Sequence, residues 1–93
     1  MEKLDFNGVE YAGYLVPTPH GVLLAIRGHQ GMLGCGYFNM QAAEKFGDAL
    51  AIVTGVKTFH DMINAEVVQV SSAAAALGVQ AGMSGLSALE KMK

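Results

Sequence analysis

Residues 31–58 constrain the fold of this chain more than any other segment. They read GMLGCGYFNMQAAEKFGDALAIVTGVKT and contain a glycine-dense strand, an amphipathic helix, a strongly apolar strand and a turn into a second helix. The apolar run ALAIV has no polar position, which is typical of a central strand buried on both faces. The segment therefore predicts a domain that contains both sheet and helix.

The residues before this run predict further strands. Asn7 and Gly8 are a strong signal for a two-residue hairpin turn within residues 3–16, because both turn positions need positive φ angles. VLLAIR then forms a third strand, and MLGCGYF pairs with it as a fourth across a glycine-flanked loop. In the fourth strand Gly34 and Gly36 share one face. This patch without side chains must be approached by a helix, a neighbouring subunit or a ligand.

The helix after the fourth strand has a recognisable start and end. Asn39 is a good N-cap, and Gly47 is the expected left-handed residue at the C-terminal end. Met40, Ala43 and Phe46 recur at helical spacing, so we expect them to form the buried stripe of this helix.

Similar signals predict the elements after ALAIV. Thr58 caps the helix FHDMINA, with Asp61 three residues on as its capping-box partner. VVQV at 67–70 is then a strand, separated from ALAIV by enough chain for a parallel, right-handed crossover. Serines cap two last helices. We therefore predict a single α+β domain over residues 1–93, with an antiparallel or mixed sheet of four N-terminal strands, then α-β-α-β-α-α, and helices packed on one face.

The shortage of charged residues bears on assembly. Hydrophobic residues make up 52% of the chain and charged residues 15%, against about 25% charged in a typical domain. These few ionic side chains do not cover a whole monomer surface, so we expect a homo-oligomer that buries apolar surface between identical copies. A monomer with an apolar but tolerated surface is the alternative.

Charge and cysteine content argue against several classes of protein. The net charge is −2 and no basic run occurs, so we expect no nucleic-acid partner. No apolar run is long enough to cross a membrane, and MEKLDFNG at the N-terminus does not resemble a signal peptide. The single cysteine excludes an internal disulfide and fits a reducing compartment, so we predict a cytoplasmic location.

Cys35 is the first candidate site. It lies between two glycines, so we expect its sulfur to be accessible and treat it as a candidate catalytic nucleophile. His20, His29 and His60 are the candidate bases for such a reaction. The alternative is a small buried apolar residue in a crowded strand.

Thr54, Gly55, Lys57 and Thr58 form the second candidate site, for an anionic ligand. A glycine turn, a lysine and a hydroxyl lie where a helix begins, and the free backbone N–H groups of a helix start favour an anion. The spacing does not satisfy GxxxxGK[ST], so this is not a Walker A loop. The alternative is an ordinary strand-to-helix turn. One cysteine and three scattered histidines lack the spacing of metal ligands, so we predict no metal site.

Three runs of the sequence resemble a known family. GCGYFN, AIVTGVKTFHDMINA and GVQAGMSGLSALEKM are similar to the YunC-like family of uncharacterised bacterial and archaeal proteins, and the resemblance extends over residues 9 to 92. The resemblance implies a small α+β domain without an assigned activity or agreed catalytic residues. It transfers no site to this chain.

Two functions remain open at this point. The favoured one is a small oligomeric binding module for an anionic metabolite or a protein partner. The alternative is a cysteine-dependent enzyme that uses Cys35, so neither enzymatic activity nor a cofactor is assigned. The tertiary structure determines whether Cys35, Lys57 and a histidine line one pocket or lie far apart.

Overall fold

The predicted order of four strands followed by α-β-α-β-α-α is confirmed in a computed structural model that describes residues 1–93. The strands are β1 (Glu2–Phe6), β2 (Val9–Pro17), β3 (Val22–Arg27), β4 (Met32–Gly34), β5 (Leu50–Ile52) and β6 (Gln69–Val70). The helices are α1 (Met40–Phe46), α2 (Phe59–Asn64), α3 (Ser72–Ala76) and α4 (Gly85–Lys91). None of these helices is long and apolar enough to cross a membrane.

The six strands form one mixed sheet, and they lie in it in chain order. β1 to β4 are antiparallel neighbours, whereas β4 and β5 run parallel and are connected through α1. The predicted parallel crossover from ALAIV to 67–70 was wrong, since β6 is antiparallel to β5. Two hydrogen bonds hold the chain at Val67 after α2: the N–H group of Val67 donates to Met83 O, and the N–H group of Gly82 donates to Val67 O. From Val67 the chain runs back along β5 as β6.

Two hydrophobic clusters lie on opposite faces of the sheet. Leu50 and Ile52 belong to the smaller cluster and Ala51 to the larger, as expected for alternating positions on one strand. Helices α2, α3 and α4 cover the larger cluster, and α1 covers the smaller one. The predicted packing of helices on one face thus holds for three of the four. Every residue from 49 to 53 is buried, which confirms that this run is covered on both faces.

The predicted limits of α1 are confirmed. Asn39 Oδ1 accepts hydrogen bonds from the N–H groups of Gln41 at 2.8 Å and Ala42 at 3.3 Å, and Gly47 ends the helix with a φ of 75°.

The predicted buried stripe of α1 was wrong at one residue. Ala43 is buried and Met40 half-buried, but Phe46 is 74% exposed. Each step of three residues rotates by about 60° around the helix axis, so Phe46 lies about 120° away from Met40. The narrow patch formed by Leu50 and Ile52 does not reach that far around α1.

The chain leaves the sheet earlier than we predicted after β4. The predicted strand MLGCGYF ends at Gly34, and residues 36–38 form a turn in which the N–H group of Phe38 donates to Cys35 O at 3.1 Å. Gly34 and Gly36 therefore do not share a strand face. This early turn directs Cys35 and Gly36 towards one end of the sheet.

Candidate functional site

A cleft of about 610 Å³ lies at the end of the sheet where β4 and β5 finish. Because β4 and β5 are parallel and β3 is antiparallel to β4, the start of β3 meets the turns that follow the other two strands. Eight residues from these three segments line the cleft: Gly21, Val22, Cys35, Gly36, Tyr37, Gly55, Val56 and Lys57.

The two candidate sites predicted from the sequence meet in this cleft. Cys35 comes from the first, and Gly55 and Lys57 come from the second. Thr54 and Thr58 are exposed beside the cleft without lining it, and Thr58 is the N-cap of α2. The turn after β5 therefore faces the same space as the turn after β4.

The histidines lie elsewhere. None of His20, His29 and His60 lines the cleft. His29 lines two smaller cavities near Arg27, and His60 Nε2 lies 3.1 Å from Asn64 Nδ2 on α2. Nowhere on the chain do three or more His, Cys, Asp or Glu side chains converge as potential metal ligands. The cleft thus combines a thiol with a lysine and contains no imidazole base.

Cys35 is buried, with 4% of its surface exposed, which confirms the alternative of a small buried residue, and the flanking glycines do not make the sulfur accessible. The Sγ atom accepts a hydrogen bond from the N–H group of Leu24 at 3.3 Å. In return the N–H group of Cys35 donates to Leu24 O at 3.1 Å. This reciprocal pair fixes Cys35 against β3, so the residue belongs both to the core and to the wall of the cleft.

The start of α2 already holds an anion that the chain itself supplies. Asp61 Oδ2 accepts a hydrogen bond from the backbone N–H of Lys57 at 3.0 Å, and Thr58 Oγ1 accepts one from the N–H of Asp61 at 3.0 Å. These contacts lower the pKa of Asp61, with the Lys57 N–H as the largest cause. An external anion therefore cannot use this backbone group, and the side chain of Lys57 is the remaining cationic group in the cleft.

Tyr37 is a lining residue that the sequence reasoning missed. It is 58% exposed, and its hydroxyl lies within hydrogen-bonding distance of Thr18 Oγ1, at 3.2 Å. This contact joins the turn after β4 to the turn that precedes β3. Extending the β3–β4 register by three residues beyond the Ala25–Gly34 pair sets Val22 opposite Tyr37, so the predicted hairpin was a signal that could have located it.

The structure is a small α+β domain with a cleft of about 610 Å³ at the carboxyl ends of two parallel strands. Residues 34–92 match the family described as a domain of unknown function, DUF1805, and the chain belongs to this family. The expected uncharacterised family is thereby confirmed, while the narrower YunC-like grouping stays a prediction.

One solved structure shares the fold over almost the whole chain. It is the crystal structure of a protein of unknown function, TA1206 from Thermoplasma acidophilum, which is 33% identical with a TM-score of 0.93. The similarity covers 99% of this chain and 90% of that one. None of the curated proteins matches the sequence.

Proposed function

We propose that this chain is a small binding module that takes an anionic metabolite into the cleft beside Lys57. The observation that carries this proposal is a cleft of about 610 Å³ lined by Lys57. Small-molecule sites commonly have volumes of roughly 300–1,000 Å³. The cleft also lies outside the carboxyl ends of the parallel strands β4 and β5, the position where open α/β sheets bind ligands.

The charges around the cleft favour an anion over a cation. Lys57 is the one lysine, arginine or carboxylate among the eight lining residues. The nearby carboxylate of Asp61 is engaged by the backbone N–H of Lys57. Val22 and Val56 contribute apolar wall, and a charge pair in such surroundings attracts more strongly than the same pair in bulk water.

An NMR titration of the intact protein tests this function. The probes are acetate, inorganic phosphate and benzoate, added at constant ionic strength to ¹⁵N-labelled protein. We expect one of them to shift the amide signals of Gly36 and Gly55, and we expect Lys57→Gln to abolish the shift.

Lys45→Gln is the matched control, because Lys45 is an exposed lysine on α1 outside the cleft. Shifts that persist in Lys57→Gln, or that are lost equally in Lys45→Gln, would contradict the proposal.

Assembly into a homo-oligomer is the second part of the proposal. Tyr14, Leu15 and Val16 are 36%, 50% and 52% exposed at the end of β2. β1 pairs with β2 only as far as Gly13, so residues 14–17 have β3 as their one neighbouring strand in this chain. An apolar strip beside an open strand edge is a common surface for association between copies.

Light scattering at micromolar concentration measures the oligomeric state. We expect the native chain to be larger than a monomer and Val16→Lys to dissociate it. Phe46→Lys is the control, since Phe46 is an exposed apolar residue on α1. A native chain with the mass of one copy would overturn the homo-oligomer. The proposed binding function would then rest on the cleft alone.

A cysteine-dependent reaction is the second candidate function, because Cys35 and Lys57 line the same cleft. The rate of alkylation by iodoacetamide at neutral pH distinguishes the candidates. A rate at least equal to that of free cysteine supports the enzyme, and a thiol that does not react removes it.

The predicted cytoplasmic location is consistent with Cys35 as the only cysteine and a free thiol. Fractionation of cells that express the native chain tests this location. Recovery of the chain outside the cytoplasmic fraction would contradict it.

A further inference from the structure

Gly21 and Gly36 are the two glycines whose presence the isolated chain does not explain. Five of the twelve glycines have positive φ angles: Gly8, Gly47, Gly55, Gly78 and Gly82. At five others an added Cβ would lie closer than 3.0 Å to atoms of the same chain: Gly13, Gly28, Gly31, Gly34 and Gly85. Gly21 and Gly36 belong to neither group.

An added Cβ would have room at both positions. At Gly21 the nearest atoms would be Thr18 Oγ1 at 3.5 Å and the Tyr37 hydroxyl at 3.6 Å, which are ordinary contact distances. At Gly36 the nearest would be Thr54 Cγ2 at 3.6 Å. Neither packing within the chain nor backbone conformation requires glycine at these two positions. Both residues line the cleft.

A glycine in the wall of a cleft exposes the peptide plane and lets another group approach the backbone closely. The cleft therefore offers bare peptide surface at Gly21 and Gly36, and the aromatic residue Tyr37 also lines it. Flat groups pack well against surfaces of this kind, and aromatic pairs gain additional stabilisation from offset stacking. Val22 and Val56 add apolar contact on the remaining wall.

We infer that the ligand of the cleft is a flat, largely apolar molecule with one anionic group, such as an aromatic carboxylate. This inference rests on the proposed function and specifies its ligand. One lysine in an apolar cleft matches one negative charge, whereas a polyphosphate needs several cationic or N–H partners. Gly21 and Gly36 are the residues that set this specificity, because a side chain there would occupy the space of the flat group.

Two carboxylic acids with the same ring skeleton test the inference. 2-Naphthoate is flat, and decahydro-2-naphthoate carries the same charge on a puckered ring system. We expect the native chain to bind 2-naphthoate roughly tenfold or more tightly than the puckered acid, as measured by calorimetry. Gly36→Ala is expected to weaken binding of 2-naphthoate by roughly tenfold, the scale of one methyl group in a shaped pocket.

Stability controls accompany the binding measurements. Gly21→Ala and Gly36→Ala are both expected to unfold at the native midpoint temperature, because neither Cβ meets a close neighbour. If Gly36→Ala does not fold, binding of 2-naphthoate is measured on Gly21→Ala instead. The comparison of the two acids uses the native chain and needs no variant.

The failures of the two proposals are distinguishable. Equal affinity for the two acids, with both lost in Lys57→Gln, overturns the flat ligand and leaves the anion site intact. Binding of inorganic phosphate without binding of 2-naphthoate would also overturn the flat ligand and leave the anion site intact. Absence of binding by every anion overturns both proposals. A native affinity for 2-naphthoate in Gly36→Ala and Gly21→Ala overturns the role of the two glycines.

Discussion

The surroundings of Gly34 and of Gly36 differ, although the two glycines are separated by one residue. A Cβ at Gly34 would lie 2.6 Å from the ring of Phe38, so the chain itself fills the space that this glycine leaves. A Cβ at Gly36 would meet nothing closer than 3.6 Å, and the space there belongs to the cleft. The protein itself fills the space beside Gly34, whereas the space beside Gly36 is open to the cleft.

The chain around Cys35 is part of the core on one side of this residue and part of the cleft wall on the other. Up to Gly34 the chain is a buried strand whose neighbours are fixed by packing, and beyond Cys35 it is a turn that lines the cleft. Cys35 marks the boundary, since it is buried in the core and also lines the cleft. Mutations on the two sides of Cys35 are therefore expected to affect different properties, stability before it and binding after it.

Gly34→Ala is expected to have the largest effect on stability. The added methyl group collides with the ring of Phe38, which packs against both hydrophobic clusters, and overpacking of this kind costs about 1–3 kcal/mol. Urea unfolding measures the loss. Phe38→Leu in the same variant is expected to recover part of it, because the two substitutions share one contact. A loss within error of zero would show that the space around Gly34 is not filled tightly.

Tyr11→Phe is expected to increase stability. The hydroxyl of Tyr11 is buried without a hydrogen-bond partner, and burial, followed by the charge of Glu90, raises its pKa. Removal of an unsatisfied buried polar atom is expected to contribute about 1 kcal/mol at pH 7. Thermal unfolding measures the gain. A clear loss of stability would show that the Tyr11 hydroxyl has a hydrogen-bond partner.

Asp61→Asn is expected to have a smaller effect, with a characteristic dependence on pH. The hydrogen bond from the Lys57 N–H lowers the pKa of Asp61 below its ordinary value of 3.8. Ionised Asp61 therefore stabilises the fold above about pH 4, and this contribution is lost as the pH falls through the lower folded value. At pH 7 the variant should unfold at a lower temperature than the native chain. This difference in unfolding temperature should vanish near pH 2.

A difference between Asp61→Asn and the native chain that is the same at both pH values would contradict this assignment. Thr58→Ala provides the control, since Thr58 caps the same helix through a neutral hydroxyl that does not titrate. Its effect is expected to persist at low pH. The two variants thereby separate the effect of the Asp61 charge from the effect of the Thr58 cap.

Gly36→Ala is expected to have the smallest effect on stability, within about 0.5 kcal/mol of the native chain, because the added methyl group enters open space. Urea unfolding beside Gly34→Ala gives the direct comparison. Equal losses in the two variants would show that the space beside Gly36 is filled as tightly as the space beside Gly34.

Several elements could be predicted from the sequence because their signals are local. Asn7 and Gly8 have φ angles of 56° and 82°, as their hairpin requires. Asn39 and Gly47 limit α1 through contacts within a few residues. The burial of residues 49–53 followed from an unbroken apolar run. In each case the energy that selects the conformation depends on neighbours along the chain, which the sequence displays directly.

The candidate residues were also visible in the sequence, but their arrangement was not. Cys35 and Lys57 line one cleft because β4 and β5 pair in parallel. The antiparallel pairing of β6 with β5, which differs from our prediction, was also not visible in the sequence. Likewise, only the position of Phe38 distinguishes Gly34 from Gly36. These features depend on pairing and space filling between residues that are distant along the chain. Local preferences are the same for the alternatives, so only the tertiary structure could decide between them.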